Sequence, residues 1–306
     1  MTKRLNILGM LLFLTLCYSC GLKDVDDVTQ NNSDTICVGT YNLRIITPVD
    51  SGPRSWVNRR HYIASIIHHA AFQLIGFQEI FNNDQLNDMK QRLLNYAFIT
   101  NGQDNSSGTK GEMLAIAYDK YRFQVLESGF FFLSPTPNFP GIGWDASTNR
   151  ICQWARIYDL FNQNEFYFFN THFNWSGNVS RADGAKLVTQ MIDSLAVGVP
   201  VICVGDFNAS TTEAAFYNQM TSVLTDSRIA TVSIPIGSYG TYNCWDTSKA
   251  ALKKDKRIDY VFVKDFEVLS YETLNEKFVV DTWPSDHFPV KVTLIMNKQV
   301  QLYPVL

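Results

Sequence analysis

Residues 201–209 (VICVGDFNA) form an apolar run that ends abruptly on an acid and an amide. A continuous apolar run of this length, entered through Gly198 and Pro200, predicts a strand buried on both faces. Asp206 and Asn208 are two residues apart, so their side chains point the same way and can converge on one small site. A turn closed by an aspartate side chain is the alternative for this stretch taken alone.

Further apolar runs predict strands along the whole chain, at 36–41, 72–77, 113–118, 123–133, 151–161, 165–171, 257–263 and 288–295. Helical spacing of apolar residues predicts helices over 55–70, 83–94 and 181–195 and near 212–220. Turn-forming residues predict irregular segments at 101–111, 134–149 and 236–245. Because many strands are consecutive, we expect mixed sheets covered by helices in one α+β domain, rather than a simple doubly wound sheet.

Polar side chains stand at the ends of these predicted strands: Asn42, Glu79, His172, Asp206, Asn208, Asp259, Asp286 and His287. Carboxylate and amide oxygens without a thiolate suit Mg²⁺, Mn²⁺ or Ca²⁺, and two histidines supply acid–base groups near neutral pH. Such a set fits metal-assisted attack of water on phosphorus. The alternative is a set of coincident structural turns and caps.

Six motifs carry these residues in order: TYNLR (40–44), GFQE (76–79), NTHFNW (170–175), GDFNA (205–209), RIDYVFV (257–263) and SDHFPV (285–290). Together they resemble the motifs of the endonuclease/exonuclease/phosphatase superfamily, which includes DNase I-like nucleases, neutral sphingomyelinases and inositol-phosphate phosphatases. The resemblance covers about residues 36–296. It implies a four-layer α/β/β/α sandwich of two mixed β-sheets flanked by helices, with the site at the sheet edges.

The resemblance also implies which residues bind a metal. Asn42 and Glu79 look like metal residues, and Asp286 looks like a further carboxylate on the metal side. The implied cofactor is Mg²⁺, with Mn²⁺ or Ca²⁺ as alternatives.

The remaining motif residues are implied to act on water and phosphate. Asp206 resembles the residue that aligns or deprotonates the attacking water, and Asn208 the residue that holds the water or phosphate. His172 and His287 look like the pair that flanks the phosphate, and Asp259 looks like the acid that orients His287. For Asp259 alone, a buried structural hydrogen-bond acceptor is the alternative.

Residues outside the shared catalytic positions predict substrate contacts. The segment 141–156 (GIGWDASTNRICQWAR) resembles a pattern of exported bacterial members of the superfamily. Within it, Arg150 is predicted to clamp a phosphate oxygen, with a surface salt bridge as the alternative. Asn174 is a further predicted substrate contact. An aromatic rim that stacks on a sugar, base or lipid head group is predicted from loop tryptophans, with loop packing as the alternative for each: Trp144, Trp175, Trp245 and Trp283.

The charge balance disfavours nucleic acid as the substrate. The net charge is −3, and the first 19 residues contribute Lys3 and Arg4 and no acid, so the rest is more acidic still. Binding to a polyanion relies on lysine and arginine displacing counterions. We therefore expect a monomeric enzyme that hydrolyses a mono- or diester of a small, sugar- or lipid-linked phosphate. An extracellular nuclease and a non-catalytic binding lipoprotein are the alternatives.

The N-terminal sequence predicts export. Lys3 and Arg4 precede an apolar stretch, 5–16, that is too short to span a bilayer as a stable helix. Cys20 and a polar, acidic run follow, which resembles a bacterial lipoprotein signal. Because Cys17 stands where that motif normally has leucine, plain secretion is the alternative to a periplasmic or cell-surface lipoprotein. The predicted organisation is a signal peptide (1–19), a tether lipidated on Cys20 (20–35) and a single domain (36–306).

Overall fold

A computed structural model describes residues 34–246, 253–278 and 282–297 of the protein. The predicted signal peptide (1–19) and all but the last two residues of the predicted tether (20–35) lie outside these ranges. Within them, no helix is both long and apolar enough to cross a membrane.

Two mixed sheets form the centre of the fold. The described strands are β1 (Thr35–Asn42), β2 (Leu74–Ile80), β3 (Tyr96–Gly102), β4 (Met113–Asp119), β5 (Phe123–Phe132), β6 (Ile151–Asp159), β7 (Asn164–His172), β8 (Val201–Asp206), β9 (Thr225–Asp226), β10 (Ile236–Gly237), β11 (Asp259–Lys264), β12 (Phe266–Thr273) and β13 (Val290–Met296). The described α-helices are α1 (Trp56–His69), α2 (Asn83–Arg92), α3 (Asn178–Leu195), α4 (Ala214–Thr221) and α5 (Ser227–Ala230).

The strand order explains why both sheets are mixed. The first sheet has the order β10-β12-β13-β1-β2-β4-β3, and the second has the order β5-β6-β7-β8-β11-β9. A parallel pair lies at the centre of each sheet, β1 with β2 and β7 with β8. Their other neighbours, β13 on β1 and β11 on β8, run antiparallel.

Apolar clusters hold four layers together. Between the sheets, Val38 and Leu74 of the first sheet belong to one buried cluster with Phe168 and Val204 of the second. The outer face of the first sheet packs on α1 and α2, and the outer face of the second packs on α3 and α4. The predicted four-layer sandwich of two mixed sheets flanked by helices is therefore confirmed.

The sequence prediction missed two full strands, β3 and β12. β3 lies at the edge of its sheet, and its short apolar run, 96–99, is separated from the end of α2 by only three residues, so the sequence does not separate it from the helix. β12 begins two residues after β11 ends, and the chain passes from the second sheet to the first at Asp265, whose φ is +61°. Such a tight reversal leaves no turn signal long enough to separate two strands.

A buried amide pair links the sheets beside the polar strand ends. Gln78 donates a hydrogen bond from Nε2 to Oδ1 of Asn170 at 2.7 Å, and Asn170 donates to two main-chain carbonyls of the first sheet at 3.1 Å. Glycine is required at position 76, because a Cβ there would lie 2.5 Å from Oδ1 of Asn170. This link fixes the position of Glu79 relative to His172.

Candidate active site

The polar strand ends meet at one edge of the sandwich. β7 and β8 are parallel and in register, so His172 lies opposite Asp206 at their carboxyl ends. β11 runs the other way, which places its first residue, Asp259, opposite Asp206 as well. Asp286 and His287 lie just before β13, which is antiparallel to β1. The sheet topology thus gathers residues that are far apart in sequence.

Asp206 is the centre of this edge and is almost fully buried. Its Oδ2 accepts a hydrogen bond from Nδ2 of Asn42 at 3.0 Å and lies 3.5 Å from Nε2 of His172 and 3.7 Å from Nε2 of His287. Its Oδ1 accepts from the main-chain N–H of Asn208 at 2.9 Å. The side chain of Asn208 donates to a main-chain carbonyl at the end of β7, which fixes the turn after β8.

Each histidine is held from behind by a carboxylate. Nδ1 of His287 lies 2.9 Å from Oδ2 of Asp259, and Nδ1 of His172 lies 2.8 Å from Oε1 of Glu112. A carboxylate at Nδ1 favours the proton on that nitrogen and orients the ring. Both Nε2 atoms therefore approach the same oxygen of Asp206 from two sides.

Glu112 is the functional residue that sequence reasoning missed. Its Oε1 also accepts from Nη1 of Arg150 at 2.7 Å, and the same Nη1 lies 3.0 Å from Nδ1 of His172. Burial alone would raise the pKa of Glu112, but Arg150 and His172 lower it to about 2. The available signal was an acid directly before an apolar run, the pattern also seen at Asp259.

Arg150 lies behind His172, and its role as a phosphate clamp stays a prediction. Its guanidinium is mostly buried and contacts Glu112 and His172. In this position it contacts the carboxylate that holds His172 and adds positive charge behind the histidine.

The metal-side residues form a second group beside Asp206. Nδ2 of Asn42 donates to Oε1 of Glu79 at 2.9 Å, and Oε2 of Glu79 accepts from the main-chain N–H of Ile45 at 3.0 Å. Glu79 has a φ of +60°, at the point where the pairing of β2 with β4 becomes irregular. A non-glycine residue in this region costs about 1–3 kcal/mol. This bulge aims the Glu79 carboxylate at the site instead of along the sheet.

Negative charge exceeds positive charge in this cluster. Burial and the neighbouring carboxylate of Asp259 raise the pKa of Asp206, and burial and Glu79 raise the pKa of Asp286. Burial alone would lower the pKa of His287, but Asp259 and Asp206 raise it well above its usual value. A bound cation would relieve this crowding of carboxylates.

The donor set fits a hard divalent cation. Glu79, His172 and Asp206 can each offer one ligand atom, and these atoms lie within 4.8 Å of one another. Asp206, Asp259 and His287 form a second group of this kind. Oδ1 of Asp259 is buried and has no hydrogen-bond partner among the described residues. The carboxylate oxygens of Glu79, Asp206 and Asp259 suit Mg²⁺ or Mn²⁺, and neither group contains a thiolate that would favour a soft metal.

Asn174 and the segment 134–149 are organised by hydrogen bonds to each other and to α3. Asn174 is buried, donates to Oγ1 of Thr148 at 3.2 Å and accepts from the main-chain N–H of Ser176 at 3.0 Å. Asp145, of the GWDA sequence, accepts from the main-chain N–H of Ser180 at 2.6 Å in the first turn of α3. These contacts order the loops above the site, and they occupy the amide of Asn174.

The four tryptophans of the predicted rim differ in exposure. Trp175 is 68% exposed, whereas Trp144 lies in a groove between the 134–149 segment and α3. Trp245 is half-buried under the guanidinium of Arg54, 5.3 Å from its ring centroid. Trp283 is buried, and its ring packs against Phe288. Trp283 therefore packs a loop, and only Trp175 is fully available to a ligand.

Comparison with known proteins agrees with this geometry. Residues 39–287 match the model of the endonuclease/exonuclease/phosphatase family. The chain belongs to this family. Its members are phosphoesterases and nucleases, so the protein is a hydrolase of phosphoester bonds, and its two sheets with flanking helices form the DNase I-like fold.

Solved structures include close matches in Bacteroides thetaiotaomicron. A mannosyl-6-phosphatase from strain VPI-5482 is 36% identical, with a TM-score of 0.79 over 85% of this chain and 100% of that one. A further family protein from this species is 36% identical, with a TM-score of 0.79 over 86% and 98% of the two chains.

A curated protein of Acanthamoeba polyphaga mimivirus also matches, although it is uncharacterized. It is 29% identical over 169 residues, or 45% of this chain. The present chain spans only 24% of that larger protein.

Proposed function

We propose that the protein is a divalent-metal-dependent phosphoesterase that releases phosphate from a small, sugar-linked compound. The observation that carries this proposal is the approach of two imidazole Nε2 atoms to one buried oxygen of Asp206, at 3.5 and 3.7 Å. A carboxylate between two oriented histidines can align a water molecule and accept its proton while the histidines face the phosphate.

In this proposal Asp206 aligns the attacking water and accepts its proton. Its raised pKa brings the carboxylate closer to the range that suits a general base near neutral pH. Oδ2 is the oxygen that faces both histidines, so it is the one placed to meet the water.

The two histidines stabilise the developing charge on the phosphoryl oxygens. His287 stays protonated because its pKa is raised, and Asp259 holds its Nδ1, so Nε2 presents an N–H to the phosphate. His172 occupies the opposite side and is held by Glu112.

Glu79, Asn42 and Asp286 would hold the cation, beside Asp206. When bound, Mg²⁺ or a similar ion would offset charge on the phosphoryl oxygens. The crowding of buried carboxylates supports this part of the proposal.

A sugar-linked substrate is supported by the 36% identity to a mannosyl-6-phosphatase over nearly the full length of both chains. The acidic net charge of −3 supports a small anion over a nucleic acid. Exposed Trp175, beside the motif that carries His172, offers a ring on which a sugar can stack. We further propose that the protein is a monomer, exported and anchored by lipid on Cys20, as its N-terminal sequence suggests.

The test is phosphate release by the purified protein with Mg²⁺. Mannose 6-phosphate, p-nitrophenyl phosphate, its bis-ester and plasmid or single-stranded DNA would be compared, each with and without EDTA. We expect turnover of the small esters that EDTA abolishes. Strong DNA cleavage without ester turnover would show a nuclease instead. Unchanged activity after thorough chelation would refute metal dependence.

The matched variants are Asp206→Ala and His287→Ala. Both should lose turnover while the protein stays folded. If both variants hydrolyse the esters as fast as the parent, the assignment of the site is wrong.

A further inference from the structure

Arg44 lies at the edge of the sandwich that carries Asp206 and the two histidines, and the proposed function gives it no role. It follows β1 by two residues and has a φ of +58°, a backbone conformation that favours glycine. A non-glycine residue keeps this conformation only where surrounding contacts hold it, and such residues cluster at functional sites.

Buried side chains hold the Arg44 backbone in place. Arg59, which is fully buried in α1, donates to the main-chain carbonyls of Arg44 at 2.6 Å and Ile45 at 3.2 Å. Gln85 of α2 donates to the same Arg44 carbonyl at 3.0 Å. The main-chain N–H of Arg44 donates to Oδ1 of Asn42 at 2.9 Å. The position of Arg44 is thus fixed from both helices and from the site itself.

The side chain is anchored along one edge only. Nε donates to Oδ2 of Asp50 at 3.0 Å, and Nη2 donates to Oδ1 at 3.5 Å. Nη1 forms a long ion pair with Oδ2 of Asp286 at 3.6 Å, and no described residue accepts a hydrogen bond from it. The side chain as a whole is 28% exposed. Nη1 therefore lies beside a carboxylate of the site and keeps its capacity to donate a hydrogen bond.

A surface ion pair alone does not require a backbone with positive φ that is held by buried side chains. Arg60 forms such a pair with Asp88 at 2.8 Å, and its side chain is 29% exposed, but it sits in the regular backbone of α1. Arg150, another arginine beside the site, has a side chain that is 8% exposed and pairs with Glu112, whereas the side chain of Arg44 is 28% exposed. Arg44 is therefore better placed than Arg150 to meet an incoming anion.

We propose that Nη1 of Arg44 binds a non-bridging oxygen of the substrate phosphate and selects phosphomonoesters over phosphodiesters. This inference rests on the proposed phosphoesterase function. A monoester carries close to two negative charges at neutral pH, about −1.5 to −2, whereas a diester carries one. An added guanidinium favours the more highly charged ester, since the second alkyl group of a diester removes one non-bridging oxygen and one negative charge.

The test compares Arg44→Gln, Arg44→Lys and the matched control Arg60→Gln on p-nitrophenyl phosphate and its bis-ester with Mg²⁺. We expect Arg44→Gln to lower kcat/KM for the monoester about 100-fold and for the diester less than about tenfold. For Arg44→Lys, kcat/KM for the monoester should lie between the values of wild type and Arg44→Gln, because lysine keeps the charge but not the two hydrogen bonds to Asp50. Arg60→Gln should leave the ratio of the two values unchanged. An unchanged ratio in Arg44→Gln, with the melting temperature preserved, would overturn the inference and leave the proposed function intact.

Calorimetric titration with inorganic phosphate and Mg²⁺ separates the two proposals. We expect wild type and Arg60→Gln to bind phosphate, and Arg44→Gln to bind it about tenfold more weakly or worse. If wild type hydrolyses neither ester, and Arg44→Gln still binds phosphate more weakly than wild type, the proposed function fails and the phosphate contact stands. If wild type and Arg44→Gln bind phosphate equally, or wild type does not bind it, the contact is refuted.

Discussion

Two groups of buried charges lie at opposite ends of the second sheet, and they are built differently. At the far end of β6, Arg122 and Asp159 form a fully buried pair, with Nη2 of Arg122 2.8 Å from Oδ2 of Asp159. The carboxylate also accepts from the main-chain N–H of Phe161 at 3.0 Å and from Nδ2 of Asn162 at 3.0 Å. This charge is neutralised within the chain.

At the other end of the sheet the charges are not balanced. Asp206 is as buried as Asp159, yet it forms no ion pair with a lysine or arginine among the described residues, only long contacts to His172 and His287. The same fold can therefore neutralise a buried carboxylate, and at the catalytic edge it does not. We infer that the excess negative charge is kept for a cation.

The largest expected effect is on catalysis at the unbalanced end. Asp206→Asn should lower kcat about 1,000-fold, because the general base is lost. The variant should melt at the same temperature as metal-free wild type or higher, since a carboxylate crowded by Asp259 becomes neutral. Phosphate release and thermal unfolding in EDTA measure the two effects. If Asp206→Asn keeps its activity, or if it unfolds, Asp206 does not differ from the structural pair of Arg122 and Asp159 in the way proposed.

The next effect is on stability at the balanced end. Asp159→Asn should cost about 3–5 kcal/mol, because it leaves Arg122 buried with a neutral partner. Urea unfolding measures this loss, and kcat of the protein that remains folded should be unchanged. Glu165→Gln is the control, since it breaks the half-exposed pair with Arg156 and should shift the urea midpoint very little. Equal effects of the two substitutions would contradict the proposed role of the buried pair.

The smallest effect is a dependence of stability on pH. The pKa values of Asp206, Asp286 and His287 are raised in the folded protein. A group of this kind adds stability that is fully present below its unfolded pKa and is lost as the pH rises through its folded pKa. In EDTA, the free energy of unfolding should therefore increase as the pH falls from about 9 to about 5.

Asp206→Asn provides the comparison for that pH series. It removes the contribution of Asp206 and one of the charges that raise the pKa of His287, so its unfolding free energy should depend less on pH than that of wild type. Identical pH dependence in urea titrations of the two proteins would show that Asp206 contributes nothing to the pH dependence of the metal-free fold.

From the sequence, the polar residues at the strand ends of the site were easier to predict than the residues that contact and hold them. Asp206 and His172 follow apolar strands, and that local pattern sufficed to place both at a sheet edge. Glu112 was missed because its contact with His172 joins residues 60 apart in sequence. It also directly follows the turn-rich segment 101–111, in which no motif indicates a function. Arg44 was missed because its role depends on Arg59 and on a backbone angle, neither of which a motif displays.

The same limit applied to the fold. The strands with continuous apolar runs, such as β8, were predicted, since burial on both faces leaves a clear pattern. β3 and β12 were missed because each follows the preceding element after only a few residues, which leaves no turn signal to mark where the strand begins. The buried link between Gln78 and Asn170 was also invisible in sequence, since it forms only once the two sheets pack.

Binding of Mg²⁺ tests most directly whether the excess charge is kept for a cation. Calorimetric titration would compare metal-stripped wild type, Glu79→Gln and Glu165→Gln. We expect saturable binding by wild type and Glu165→Gln, with a rise in melting temperature as Mg²⁺ is added, and binding weakened about tenfold or more in Glu79→Gln. No binding by wild type, or equal binding by Glu79→Gln, would contradict the account.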